Sequence, residues 1–191
     1  MATGDHITFD QFGRNFLREV VTAERVAATI ASVVGERIEV GPIAAGPRDA
    51  ARATLRGKLA DVDVSLAEGA HRDGEAMRFT ALVRLDFTLA VKAPVINKRY
   101  RGTLTIPLLL DVRAAPPLRL VIDVEPPSPP DIGVALESRD RSGRLIPVLG
   151  NIDGEVRARA AAEVARRVES PEARAHREID VLAMVDDVWR P

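Results

Sequence analysis

From Met77 to Val91 every odd position is apolar: Met77, Phe79, Ala81, Val83, Leu85, Phe87, Leu89 and Val91. The even positions between and after them, Arg78, Thr80, Leu82, Arg84, Asp86, Thr88, Ala90 and Lys92, are mostly polar. A period of two is the mark of a strand with one buried face. As one strand this run would reach about 50 Å, where an ordinary strand has about 5–6 residues. A matching run follows after a short connector, with Tyr100, Gly102, Leu104, Ile106, Leu108, Leu110 and Val112 in phase. The pair predicts adjacent antiparallel strands over 77–92 and 99–113. Phase turns the odd residues of the first and the even residues of 104–112 inward, because a slip by one position would bury Arg84 and Asp86. Strands of this length cannot lie flat, since twist accumulates along them. The chain therefore needs a strongly curved sheet with something on its concave side.

The remaining elements can be ordered around that pair. Ala51, Ala53, Leu55, Gly57 and Leu59 alternate with polar residues, and Val62, Val64 and Leu66 continue on the opposite parity. Such a switch implies a bulge or break near Ala60-Asp61. Pro107 lacks a backbone donor, so its strand should carry a bulge or a free edge there. Shorter alternations follow at Leu118, Leu120, Ile122, Val124 and at Ile132, Val134, Leu136, separated by a stiff proline-rich loop over 126–130. The turn-rich segment Gly41 to Pro47 reads as a connector, and 68–75 as a turn. Helices are expected before and after the strands in the chain. Phe9, Phe12 and Phe16 share one stripe; Thr22 can cap a second helix faced by Val26, Ile30, Val33 and Val34, stopped at Gly35. Asp153 can cap a third, in which Val156, Ala160, Val164 and Val168 step by four, and Ser170-Pro171 starts a fourth. The fold class is α+β in a single domain over 1–191. It comprises a helical N-terminus over 8–34, a long, strongly curved antiparallel sheet over 36–138 wrapped around two helices, and a helical C-terminus over 153–190.

Chemistry is harder to find. The 27 basic and 28 acidic side chains nearly cancel, so no global field recruits nucleic acid. There is no cysteine, hence no thiolate nucleophile or disulfide framework. His6, His71 and His176 stand apart, in no metal-ligand spacing, and no phosphate loop, nucleophile elbow or dinucleotide fingerprint occurs. Asp61 and Asp63 share a strand face, but opposite Val62 and Val64, which puts them in solvent. The reading is therefore of no catalytic residues, no metal and no cofactor. Met1 to Gln11 hold no apolar signal core and no run approaches a membrane span, so a cytoplasmic location is expected.

A helix, several unusually long strands in up-and-down order and a second long helix resemble the tubular lipid-binding modules. That group includes relatives of the synaptotagmin-like mitochondrial-lipid-binding domains and the lipopolysaccharide-binding proteins. The likeness spans roughly residues 22–169 and rests on element order and strand length. Around Val20 to Val26 and Asn151 to Asp153 the chain is also similar to a small bacterial family. The resemblance implies an apolar small-molecule or lipid ligand held between sheet and helices without catalysis. With aromatics at only 4%, the walls would be apolar and mostly aliphatic: Val26, Ile30, Leu85, Phe87, Leu89, Leu104, Ile106, Leu108 and Val164. Helix faces of Ala and Val are thin, and either let the sheet approach closely or leave volume for a ligand. Lys98, Arg99 and Arg101, beside the tip of the long hairpin, are the candidate head-group rim. With Pro94, Val95 and Ile96 they read either as a tip that makes transient contact with a membrane surface or as edge charges that deter aggregation. Two other functions fit the same sequence: a cofactor-free cyclase or isomerase that works by enclosing an apolar secondary metabolite, and an interaction module without a ligand.

Overall fold

Thr8 opens the first helix: its hydroxyl accepts the Gln11 N–H at 3.1 Å while the Gln11 side chain accepts the Thr8 N–H at 3.0 Å. The computed structural model describes residues 6–45, 51–67, 76–94, 96–137 and 152–186. Helix α1 runs Phe9–Val20 and α2 Ala23–Val34. Thr22 caps α2, and Gly35 ends it in a left-handed conformation, φ 73°, with its N–H bonded to the Ala31 carbonyl. The phenylalanine stripe of α1 is half-buried only at its C-terminal end. Phe16 packs on the core and stacks on Phe12, whereas Phe9 and Phe12 are 96% and 58% exposed.

Among the described residues the sheet contains seven strands: β1 Arg37–Ala45, β2 Ala51–Leu66, β3 Ala76–Ala93, β4 Ile96–Ala115, β5 Arg119–Glu125, β6 Gly133–Glu137 and β7 Glu178–Asp180. It is entirely antiparallel and curls into a half-barrel, in the order β1-β2-β3-β4-β5-β7. The long hairpin is as expected: β3 and β4 pair without interruption from Ala93↔Ile96 to Ala76↔Arg113. Every odd residue from Met77 to Val91 is buried, as are the even residues from Leu104 to Val112. The parity switch in β2 is a register shift between Leu59 and Asp61, which returns Val62 to the side of Val83. Around Pro107, β4 has its free edge. β6 pairs with Arg101 to Thr105 and β5 with Leu109 to Ala115, so among the described residues no strand faces 106–108 on that side.

The convex face is polar and cross-linked by ions. Arg78 donates two hydrogen bonds to Asp111, directly opposite it, at 2.7 and 2.9 Å. That contact holds the Asp111 carboxyl below, and the Arg78 guanidinium above, its ordinary value. Arg84 pairs with Asp61, directly opposite it, and Asp61 and Asp63 lie on the solvent side. Exposed pairs of this kind add little stability but mark which face is wet.

On the concave side lie α2, α3 (Ile152–Val168) and α4 (Pro171–Arg177), followed by α5 (Val181–Asp186). Ser170 caps α4 by accepting the Ala173 N–H at 3.2 Å, with Pro171 in its first turn. Three expectations are corrected. Residues 41–45 are not a connector but the second half of β1. This edge strand absorbs Gly41 (φ 127°) and Pro42 at a register break between Val40 and Ile43, where a missing donor is tolerated. Asp153 lies inside the first turn of α3 rather than capping it. The C-terminal region is not wholly helical, because Glu178–Asp180 pairs with β5. The expected turn over 68–75, with His71, and Val95 at the hairpin tip lie outside the described residues. No helix among the described residues is long and apolar enough to cross a membrane.

A candidate ligand cavity under the half-barrel

The apolar residues on the concave face of the sheet are mostly Leu, Ile and Phe, and those that face it from the helices are mostly Val and Ala. Val26, Ile30, Ala160 and Val164 look down on Val83, Leu85, Phe87, Leu104, Ile106 and Leu108. Valine and alanine cannot reach across the gap that curvature opens, and the volume left between the layers is a partly open cavity of about 360 Å³. Leu110 and Val112 of β4 and Ile122 and Val124 of β5 extend its floor. Ile38, Val40 and Leu55 close one side, and Val156, Val168, Ala173 and Ile179 the other. Gly57 adds a place where the floor carries no side chain.

Eight of the nine apolar residues expected around a ligand are brought together in this wall: Val26, Ile30, Leu85, Phe87, Leu104, Ile106, Leu108 and Val164. Leu89 is buried, at 1% exposure, but outside the wall. It lies nearer the hairpin tip, between Leu55 and Tyr100 in the register. On α3, Ala161 is buried beside the wall rather than in it, and the alanine of that helix that faces the cavity is Ala160.

The polar rim differs from the expectation. Lys98, Arg99 and Arg101 are not in the wall. Arg99 and Arg101 have the outward parity of β4 and are exposed on the other face of the sheet, with Arg101 opposite Glu137 of β6. Lys98 is half-buried beyond Tyr100. The polar groups that do reach the cavity come from the helices: Arg25, Thr29, Arg159, Glu163, Arg167, His176 and Arg177.

Several of these have structural work. Arg25 Nη1 donates to the Val20 carbonyl at 3.0 Å, across the α1–α2 junction. Arg159 Nε reaches Glu155 at 3.0 Å, one turn back. Arg167 is the chief tie between the helices. Its Nε donates to Glu163 Oε1 at 2.8 Å and its Nη1 to the Val34 carbonyl at 2.7 Å, so it satisfies an orphan acceptor at the negative end of α2. Glu163 also accepts two bonds from Arg166, and that contact, with Arg167 beside it, holds its carboxyl below the ordinary glutamate value against the opposing effect of burial. His176 Nδ1 lies 2.8 Å from the Glu172 carbonyl.

The lining is mostly apolar, with its polar groups confined to the helix side. Among the described residues no three His, Asp or Glu side chains come together as metal ligands would. The wall offers shape, aliphatic area and a cationic margin on the helix side. Sequence reasoning missed that margin because its members are scattered over α2, α3 and α4. Only the helical phase of Arg159, Glu163 and Arg167, which puts them within a turn of Val156, Ala160 and Val164, could have pointed to it. No protein-family model matches the chain, and no curated protein matches it in sequence.

Proposed function

We propose that this protein binds a lipid or another long apolar small molecule beneath the half-barrel, as a binder rather than a catalyst. The observation that supports this reading is the aliphatic cavity of about 360 Å³, walled by the very strand faces that would otherwise pack against helices. Ligand pockets commonly measure about 300–1,000 Å³. A volume near the lower end suits one acyl chain or a compact ring system better than a two-chain lipid. Recognition would come from area, at about 25 cal/mol per Å² of apolar surface buried. The resemblance to the tubular lipid-binding modules agrees with this reading, and we propose the same kind of curved-sheet carrier here.

The test is uptake of the apolar fluorophore Nile red and its displacement by dodecanol, in the wild type and in Ala160→Phe. The wild type should bind saturably. The added ring should cut affinity at least about tenfold, the equivalent of about 1.4 kcal/mol, with a retained cooperative melt. Native mass spectrometry of protein purified from its source host should show a co-purified apolar compound. A wild type that takes up no probe and carries no compound would sink the proposal.

A further inference from the structure

Of the charged groups in the cavity wall, four are guanidinium ions, Arg25, Arg159, Arg167 and Arg177, and one is a carboxylate, Glu163. The first three arginines and Glu163 are occupied by the contacts described above. Arg177 is different. It ends α4, lines the cavity and is half-buried, and its Nε is buried with no hydrogen-bond partner. No ion pair or hydrogen bond joins its side chain to any other described residue. Arg157 Nε is also buried without a partner, but Arg157 is not in the wall.

A buried donor without an acceptor is costly and rare, and calls for a specific explanation. For arginine the cost cannot be relieved by losing the proton, because the guanidinium stays charged at any ordinary pH. Its planar fork is matched by a planar or tetrahedral oxyanion, which can accept two parallel bonds. An uncharged ligand of carbon and hydrogen alone would leave that donor as it is, and a cationic ligand would make matters worse. From this we infer that the bound apolar molecule ends in an oxyanion, a carboxylate or phosphate, and that Arg177 receives it at the helix-side margin while the chain runs over Leu85, Ile106 and Leu108. The inference rests on the proposed binding function and gives it a ligand class: single-chain amphiphiles with an anionic head.

The experiment measures displacement of Nile red from the full chain by dodecanoate, dodecyl phosphate and 1-dodecanol, which share one chain and differ in the head. Wild-type protein should bind the two anions at least about tenfold more tightly than the alcohol, as expected of a hydrogen bond to a charged group. Arg177→Leu should erase that preference, read as the ratio of anion to alcohol affinity within each variant, and Arg177→Lys should restore part of it. A melting curve on each variant, with Arg177→Gln as a second substitution, separates loss of the head-group contact from loss of the fold. Inorganic phosphate at the same concentration should leave the probe in place; displacement by it would reveal a free-ion site and overturn the inference. So would equal wild-type affinities for anion and alcohol, or a preference that survives Arg177→Leu and Arg177→Gln. Dodecanol binding without anion preference rejects only the head-group assignment, whereas a wild type that binds none of the three rejects the cavity's function as well.

Discussion

Gly102 sits where two neighbours converge on β4. A Cβ there would strike the Ala135 carbonyl oxygen of β6 and come within 2.8 Å of Phe87 Cζ. The bare backbone lets the Phe87 ring lie over the strand and still face the cavity. Gly102→Ala should therefore destabilise the protein by about 1–3 kcal/mol, the usual effect of overpacking. Trimming the ring will not repair this, because the carbonyl stays in place: chemical denaturation of Gly102→Ala/Phe87→Leu should show no recovery, and full recovery would mean that the ring alone sets the limit. At the same scale the rim was illegible for a definite reason. Lys98, Arg99 and Arg101 are neighbours in sequence, but strand parity sends Arg99 and Arg101 to the face opposite the cavity. The orphaned Arg177 has no local signature at all, since its burial depends on where α4 docks.

Among the elements, α2 and α3 are joined by few contacts of high quality, centred on Glu163, Arg167 and the last carbonyls of α2. Glu163 has a lowered pKa in the folded state, so its contribution to stability is whole above the unfolded glutamate value of about 4.3 and is lost as pH falls through the lower folded value. Glu163→Gln should cost about 1 kcal/mol at pH 7. The gap to wild type, followed by urea unfolding across pH, should close below about pH 4. A gap that does not change with pH would show that the carboxylate's charge is irrelevant to the tie. The long strands were legible because strict alternation admits one buried face and one register, and the bulge near Ala60 because parity changes there. β1 was hidden behind Gly41 and Pro42, residues with turn chemistry that an edge strand can nonetheless accommodate. β7 has three residues, too few for any period to declare itself, and exists because β5 offers it an edge.

For the molecule as a whole, the sequence carried the walls and left the volume between them open. Alternation identifies which residues line the concave side, but whether Ala- and Val-faced helices sink onto the sheet or stand off it depends on how far the sheet curls. That is a sum over many strand pairs and is written in no single residue. The uninterrupted β3–β4 ladder has a further consequence, in time rather than in space. It starts at Ala93↔Ile96, and each successive pair enlarges the closed loop by only two residues. Loop-closure entropy is thus met almost once, at the tip, and the remaining pairs can follow as a zipper. The roof has no such route, because α2 and α3 come from opposite sides of the sheet in the chain and meet late. Folding chevrons should accordingly give φ-values of about 0.5–0.8 for Leu85→Ala and Leu104→Ala, and about 0–0.3 for Ile30→Val and Val164→Ala. The reverse pattern would mean that the helices organise the sheet. In the expected order the floor of the binding site is a finished surface while its ceiling is still unfolded, so an amphiphile present during folding can settle on the sheet and be roofed over.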